Sequence, residues 1–242
     1  MGQETITYLT NIVIGVILAG LLTHYWWRQG RSPTMRYWML SAWVMTGAGI
    51  FFAARPELSC WAGKLIPTLL VTVGHATLFL GAQRTAHLPR KWKLVAGVIL
   101  LHLAVLVGFL SLAQPAIWRM VCNGVIWGGF SLASAWCLRR ARSMFWNSPV
   151  APASAFLLHG LFHGLRVVLA VLFGLRGWTE ASASLQISGD LEVSFFMVAL
   201  FVSLLLANLQ LRHEELSSAH AEVQALSGLL PICAWCKKAR GE

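Results

Sequence analysis

The sequence predicts an all-α protein: a bundle of seven transmembrane helices with its N-terminus outside the cytoplasm, followed by a short cytoplasmic tail. Apolar residues occur in runs of bilayer length rather than in the narrow stripes of amphipathic helices. Hydrophobic residues make up 57% of the 242 residues and charged residues only 12%, with a mean hydropathy of +0.65. Because soluble domains carry about 25% charged residues, this composition argues against a water-soluble core.

Runs of about 18 or more mostly apolar residues can cross a bilayer as helices. Seven such runs occur: Tyr8–Trp27, Tyr37–Ala54, Leu65–Ala82, Leu94–Leu112, Ile117–Leu138, Pro152–Leu175 and Leu191–Leu211. The first run lacks a basic leading segment and a small-residue cleavage site, so we expect a retained helix rather than a signal peptide. Residues 1–211 are therefore predicted to form one membrane domain.

The positions of Lys and Arg predict the orientation of the helices, because positive charge close to a span resists translocation. Three alternate loops are basic and contain no acidic residue; they hold Arg28, Arg31 and Arg36, then Arg84, Arg90, Lys91 and Lys93, then Arg139, Arg140 and Arg142. We place these loops and the tail in the cytoplasm. The formal net charge of +10 then reflects orientation and attraction to the anionic lipid bilayer, and no nucleic-acid partner is expected.

Ionisable residues inside the predicted spans are the candidate functional residues, since such groups are unfavourable in lipid. His159, His163 and Arg166 follow a four-then-three spacing on the sixth span, which puts them on one helical face. His75 and His102 lie near the middle of the third and fourth spans. We predict a ligand pocket formed by these five residues.

Three interpretations of the histidines stay open. Two histidines four residues apart can bind one metal ion, such as copper, and histidines on facing helices can hold a haem or line a proton path. All of them can also be hydrogen-bond partners between helices, as can Thr68 and Thr72. Close helix packing is the interpretation for four residues of the fifth span: Gly124, Trp127, Gly128 and Gly129.

Arg166 keeps its charge in lipid and therefore needs water or an acidic partner. Asp190 and Glu192 begin the last span, and we predict an ion pair between Arg166 and Glu192, directly or through water. No span contains Lys, which argues against a retinal Schiff base. No metalloprotease, phosphate-binding, serine-hydrolase or paired-carboxylate motif occurs either, so no enzymatic activity is predicted.

The last span continues without a helix breaker into residues 212–230. Apolar residues recur there at three- and four-residue spacing: Leu216, Ala219, Val223, Leu226 and Leu230. This is the seam of a coiled coil of about two heptads, which predicts a signalling helix through which the chain forms a homodimer. The alternative is an amphipathic helix that rests on the inner membrane surface.

The segments MRYWMLSAWVMTGAGIFFAARPEL, GHATLFLGAQR, FLLHGLFHGLR and NLQLRHEELSSAHAEVQAL together resemble the seven-transmembrane sensory modules at the N-termini of bacterial diguanylate cyclases and sensor histidine kinases. LSGLLPICAWCKKARGE is similar to a segment of bacterial signalling proteins that lies beside PAS and histidine-kinase modules. The resemblance implies a sensor in the bacterial inner membrane. It would detect a small ligand or a membrane state and act on a cytoplasmic output protein or domain in two-component or cyclic-di-GMP signalling. Since no GGDEF sequence, kinase histidine box or ATP-binding motif occurs in the 242 residues, the sensor part alone is expected.

Cys233 and Cys236 form a C-x-x-C pair in residues 231–242, and their cytoplasmic placement predicts reduced thiols. In the similar segments the pattern continues to a second pair, so the resemblance implies an incomplete zinc-binding-like segment. The pair could be half a zinc site completed by a partner or a second protomer, an inert remnant, or a redox pair. Single cysteines, interpreted as core or loop residues, are Cys60, Cys122 and Cys137.

Overall fold

Seven long helices make up most of the chain in a computed structural model, which describes residues 3–28, 31–59, 61–148, 150–178 and 181–229. The helices are α1 (Gln3–Arg28), α2 (Pro33–Ala53), α3 (Ala62–Thr85), α4 (Trp92–Ser111), α5 (Ala116–Leu138), α6 (Pro152–Leu175) and α7 (Ala181–Leu229). Short 3-10 turns occupy Arg55–Glu57 and Ser143–Phe145. The described residues include no strand, which confirms the predicted all-α class.

Six of these helices, α1 and α3 to α7, are long and apolar enough to cross a membrane. The second predicted span corresponds to α2, which is not among the six. Its 21 residues give sufficient length, but polar residues such as Arg36, Ser41 and Thr46 reduce its apolar character. The structure is compatible with a multi-pass membrane protein. That α2 also crosses the membrane, which would bring the count to seven, stays a prediction.

The distribution of side chains on α6 is that of a helix in lipid. His159, His163 and Arg166 are buried, whereas Leu158 and Leu161 on the other side are 67% and 57% exposed. In water, a helix with its leucines buried and its polar residues exposed would be more stable, because each Å² of apolar surface left in water is unfavourable by about 25 cal/mol. The outer leucines therefore favour a lipid environment around α6.

The helices form a closed ring with one helix outside it. Contacts run from α1 through α2, α3, α5, α6 and α7 and back to α1. α4 packs outside the ring against α3 and α5, and its buried residues are Val95, His102 and Leu106. His102 is thus the polar residue that α4 directs into the bundle.

The two ends of the bundle differ in charge. The three basic loops lie at one end, here called the basic end, where Nη1 of Arg90 donates to the hydroxyl of Tyr37 at 2.9 Å. At the other end, here called the pocket end, the hydroxyl of Tyr8 on α1 donates to Oδ2 of Asp190 on α7 at 3.1 Å. α7 begins at the pocket end and leaves the bundle at the basic end.

α7 is one helix of 49 residues, about 74 Å long at 1.5 Å per residue. It begins at Ala181 rather than at Leu191, because the polar side chains of its first turns have partners: Nε2 of Gln186 donates to Oδ1 of Asp190 at 2.8 Å. Residues 212–226 are all exposed. Residues 230–242 lie outside the described part of the chain.

Candidate functional site

The histidine-bearing face of α6 packs closely against α5, because glycines leave room on the α5 side. A Cβ atom on Gly128 would lie 3.0 Å from Cβ of His163, and one on Gly124 would lie 2.6 Å from the side chain of Val167. Gly129 faces open space. The predicted close contact is therefore confirmed for Gly124 and Gly128 and is wrong for Gly129.

A chain of hydrogen bonds links α3, α6 and α7. Nδ1 of His75 lies 2.9 Å from the carbonyl oxygen of Val71, and its Nε2 lies 2.9 Å from Nε2 of His159. Nδ1 of His159 lies 2.7 Å from Oε1 of Glu192. The two histidines are 2% and 1% exposed, so these polar atoms depend on one another rather than on water.

The partners in this chain determine where the protons lie. A carbonyl oxygen can only accept, so Nδ1 of a neutral His75 carries the proton and its Nε2 accepts from His159. Nδ1 of His159 and Glu192 then share one proton, either as imidazole with carboxylic acid or as imidazolium with carboxylate. The pair is neutral overall in both forms, which lowers the free-energy cost of burying it.

His163 lies beside this chain of hydrogen bonds but is not part of it. Its ring centroid is 4.5 Å from that of His159, in an edge-to-face arrangement. Within the described part of the chain, neither of its ring nitrogens has a hydrogen-bond partner, and neither does Oε2 of Glu192. One ligand atom from each of His159, His163 and Glu192 lies within 4.8 Å of the others, so these three residues could hold a cation.

His102 belongs to a separate network. Its Nδ1 lies 2.9 Å from Oγ1 of Thr72 and its Nε2 lies 3.0 Å from Oδ1 of Asn123, so both ring nitrogens have partners. Nε1 of Trp127 donates to the same threonine hydroxyl at 2.9 Å, and its ring stacks on His75 at 5.8 Å. Trp127 thus contacts both the His102 network and His75. Its position in an apolar run of the sequence does not predict this role.

Arg166 and Glu192 do not form the direct ion pair that the sequence suggested. Nε of Arg166 donates to the carbonyl oxygen of Leu185 at 3.1 Å, whereas Glu192 bonds to His159. In the antiparallel packing of α6 and α7, Arg166 meets α7 at Leu185 and Gly189, about one to two turns before Glu192, so attraction between the two acts over a longer range. The guanidinium fits because Gly189 has no side chain: a Cβ there would lie 2.6 Å from Cζ of Arg166.

A cavity of about 280 Å³ lies at the pocket end. Of the five residues predicted to form a pocket, His75 and Arg166 line the cavity, whereas His102, His159 and His163 do not. His75 thus lines the cavity and also belongs to the hydrogen-bond chain behind it, whereas His159 and His102 belong to two separate networks and His163 to neither.

The charged lining of the cavity is mostly basic. From the surface inward it includes exposed Arg55, half-buried Lys64 and Arg119, and buried Arg166. Asp190 is the acidic residue in the described lining. The convergence of Arg55, Lys64 and Arg119 depends on the packing of α3 against α5, which the order of residues in the sequence does not show.

Two further polar residues of α1 complete the pocket end. Tyr8 donates to the Asp190 carboxylate as described above, and Nδ2 of Asn11 donates to the backbone oxygen of Asp190 at 3.3 Å. The hydroxyl of Ser194 donates to Oδ1 of Asn11. The one signal in the sequence for this contact was an asparagine inside an apolar run.

A haem between His75 and His159 does not fit this geometry. Their Nε2 atoms lie 2.9 Å apart, whereas two axial ligands must stand on opposite faces of a porphyrin. The predicted tail site at Cys233 and Cys236 lies outside the described residues, as does Cys60. Cys137 is buried and Cys122 half-buried, both as free thiols, as expected of packing residues.

No family model, characterised protein or solved structure matches the chain significantly. The resemblance to bacterial sensory modules therefore stays a prediction from the sequence, and its implications belong to the proposal that follows.

Proposed function

We propose that the chain is a sensory module of the bacterial inner membrane that binds a small ligand in its bundle and relays binding through α7 to a cytoplasmic partner. The continuity of α7 is the observation that carries this proposal. The helix that supplies Asp190 and Glu192 to the interior continues through the bundle to exposed residues 212–226. A movement at the pocket end can therefore reach the tail without crossing a loop.

The proposed topology has seven spans, with α2 as the second. Its 21 residues extend about 32 Å at 1.5 Å per residue, close to the roughly 30 Å of a bilayer core. It packs between α1 and α3, and Leu40 and Ile50 on its outer side are 39% and 51% exposed. With the basic end in the cytoplasm, the N-terminus and the pocket end face the periplasm.

The lining of the cavity favours a small anion with an apolar body. Four cationic side chains approach it against the single carboxylate of Asp190 in the described lining. Apolar walls, which include Phe52, Met120 and Phe196, suit a hydrocarbon or aromatic group. A volume near the lower limit of ligand pockets, roughly 300–1,000 Å³, suits a compact molecule such as a short-chain carboxylate.

Arg166 is the residue through which such a ligand would act on α7. A bound carboxylate competes with the Leu185 carbonyl oxygen for the guanidinium, because charged acceptors bind it more strongly than neutral ones. The contact between α6 and the first turns of α7 then changes. Ligand binding shifts the population between two packings by as much as its affinities for them differ.

The exposed end of α7 supports a homodimer as the form that signals. Leu216 and Leu226 are 70% and 62% exposed, and with Ala219 they lie on one side of the helix at coiled-coil spacing. A second copy of the tail would cover this seam. A change in α7 then alters how two tails pack and what they present to the output protein or domain.

Hydrogen–deuterium exchange of the full chain in lipid nanodiscs tests the proposal. Octanoate, a carboxylate with a short apolar chain, should slow exchange around the cavity and change exchange in residues 212–226. Its uncharged analogue octanamide should do neither. Arg166→Gln should abolish both responses, whereas the control Arg140→Gln at the basic end should keep them. Protection at the cavity with an unchanged tail would contradict the relay, and no protection with octanoate would contradict the ligand class.

A further inference from the structure

We propose that His159, His163 and Glu192 bind a divalent transition-metal ion between α6 and α7. This site is distinct from the cavity, because none of the three residues lines it. It does not depend on the proposed sensory function, since its evidence is the set of ligand atoms and their missing partners.

The three ligand atoms already converge. They lie within 4.8 Å of one another, and the two histidines are each 1% exposed. Two ligands of one zinc ion lie no more than about 4.2 Å apart, given Zn–N bonds of about 2.0–2.1 Å. A small side-chain movement is therefore enough to close the group around an ion.

Unpaired polar atoms mark the same place. Among the described residues, the buried side-chain atoms without a partner include Nδ1 and Nε2 of His163 and Oε2 of Glu192. A buried polar group without a hydrogen bond is unfavourable by about 1–3 kcal/mol, and native interiors rarely retain several such groups together. An ion would satisfy one nitrogen of His163 and the free oxygen of Glu192 at once.

The hydrogen bonds of His159 and His75 suit this role. Nδ1 of His159 faces Glu192 across one shared proton, and an incoming ion would replace that proton, which is released. Nε2 of His159 would still donate to His75, whose Nδ1 donates to the Val71 carbonyl oxygen. Metal-binding histidines usually donate their second ring N–H in this way, so His75 is a positioning residue.

Two imidazoles and one carboxylate indicate the class of metal. Two histidines and one carboxylate bind Zn²⁺ in sites that keep an open position for water, and the same ligands bind Fe²⁺ in oxygenases. Arg166, one turn from His163, opposes a cation, but the carboxylates of Asp190 and Glu192 attract the guanidinium and partly offset its charge. A water molecule is the competing occupant, since it too could bond to His163 and Glu192.

Metal binding by the full chain in detergent tests this site. Cys233→Ser and Cys236→Ser are introduced throughout, so that the tail pair contributes no metal. Elemental analysis should find about one zinc or iron ion per chain, since three ligands form one site. After chelation, added Co²⁺ should give visible absorption bands of a nitrogen- and oxygen-bound ion.

Glu192→Gln and His163→Ala should abolish Co²⁺ binding, and the size-conserving Glu192→Gln keeps the test valid if His163→Ala does not fold. His75→Gln should weaken affinity by about 10- to 100-fold. His102→Ala removes a buried histidine from the other network and should leave binding unchanged. A chain that carries only the two serine substitutions and binds neither Zn²⁺ nor Co²⁺, or a Glu192→Gln variant that binds Co²⁺ normally, would overturn the proposal.

Discussion

At the scale of single residues, the buried histidines differ in how their ring nitrogens are satisfied. Both nitrogens of His102 have partners, from Thr72 and Asn123. Neither nitrogen of His163 has a partner among the residues that the structure describes. We therefore expect His102 to stabilise the fold and His163 to be available to bind a ligand.

His102→Ala should therefore lower the free energy of unfolding. The change removes the bonds of His102 to Thr72 and Asn123, and one such bond contributes about 0.5–1.5 kcal/mol. Thr72 keeps its bonds to Trp127 and to the carbonyl oxygen of Thr68. Unfolding in mixed micelles measures the difference, with His24→Ala, an exposed position on α1, as the control. Equal stability of the two variants would show that the His102 network contributes little.

The spacing of His159, His163 and Arg166 was sufficient to predict that they share the inner face of α6. It could not predict the partner of Glu192, because that depends on the register of α6 against α7. The same register places Leu185 and Gly189, rather than Glu192, against Arg166. Which residues of two helices meet depends on how the helices pack. The spacing of residues within one helix does not predict it.

At the scale of helices, the α5–α6 contact depends on particular glycines. Gly124→Ala would place a methyl group 2.6 Å from Cγ2 of Val167, a side chain that is stiff at χ1. The helices must then separate, and overpacking of this kind lowers stability by about 1–3 kcal/mol. Gly129→Ala faces open space and is the matched control. It should be neutral or stabilise by up to about 1 kcal/mol through helix propensity.

The same micelle unfolding measurement compares the two alanine variants. A Gly124→Ala variant as stable as Gly129→Ala would mean that α5 and α6 do not pack at the observed distance.

The positions of the helices followed from the apolar runs, and α5 and α6 begin and end within one residue of prediction. α7 differs most, because Gln186 and Asp190 lower the apolar character of its first turns while their side chains are paired inside the bundle. A search for apolar runs ends a predicted helix where polar residues begin. It therefore misses helical turns whose polar side chains form hydrogen bonds within the protein.

At the scale of the whole molecule, the proposed topology assigns the two ends to opposite sides of the membrane. In a cysteine-free background, Gln114→Cys at the pocket end should react with a membrane-impermeant maleimide in intact cells whose outer membrane is permeable to it. Arg140→Cys at the basic end should react only after the inner membrane is opened. The reverse pattern would invert the topology and move the tail out of the cytoplasm.

The central claim is that binding at the pocket end changes the packing of two α7 tails. The most direct measurement is the distance between spin labels on Ser218→Cys in the two protomers, in a cysteine-free background and in nanodiscs. We predict a defined distance distribution that shifts with octanoate, not with octanamide, and not in Arg166→Gln. An absent dimer, or a distribution that octanoate leaves unchanged while it occupies the cavity, would contradict the account.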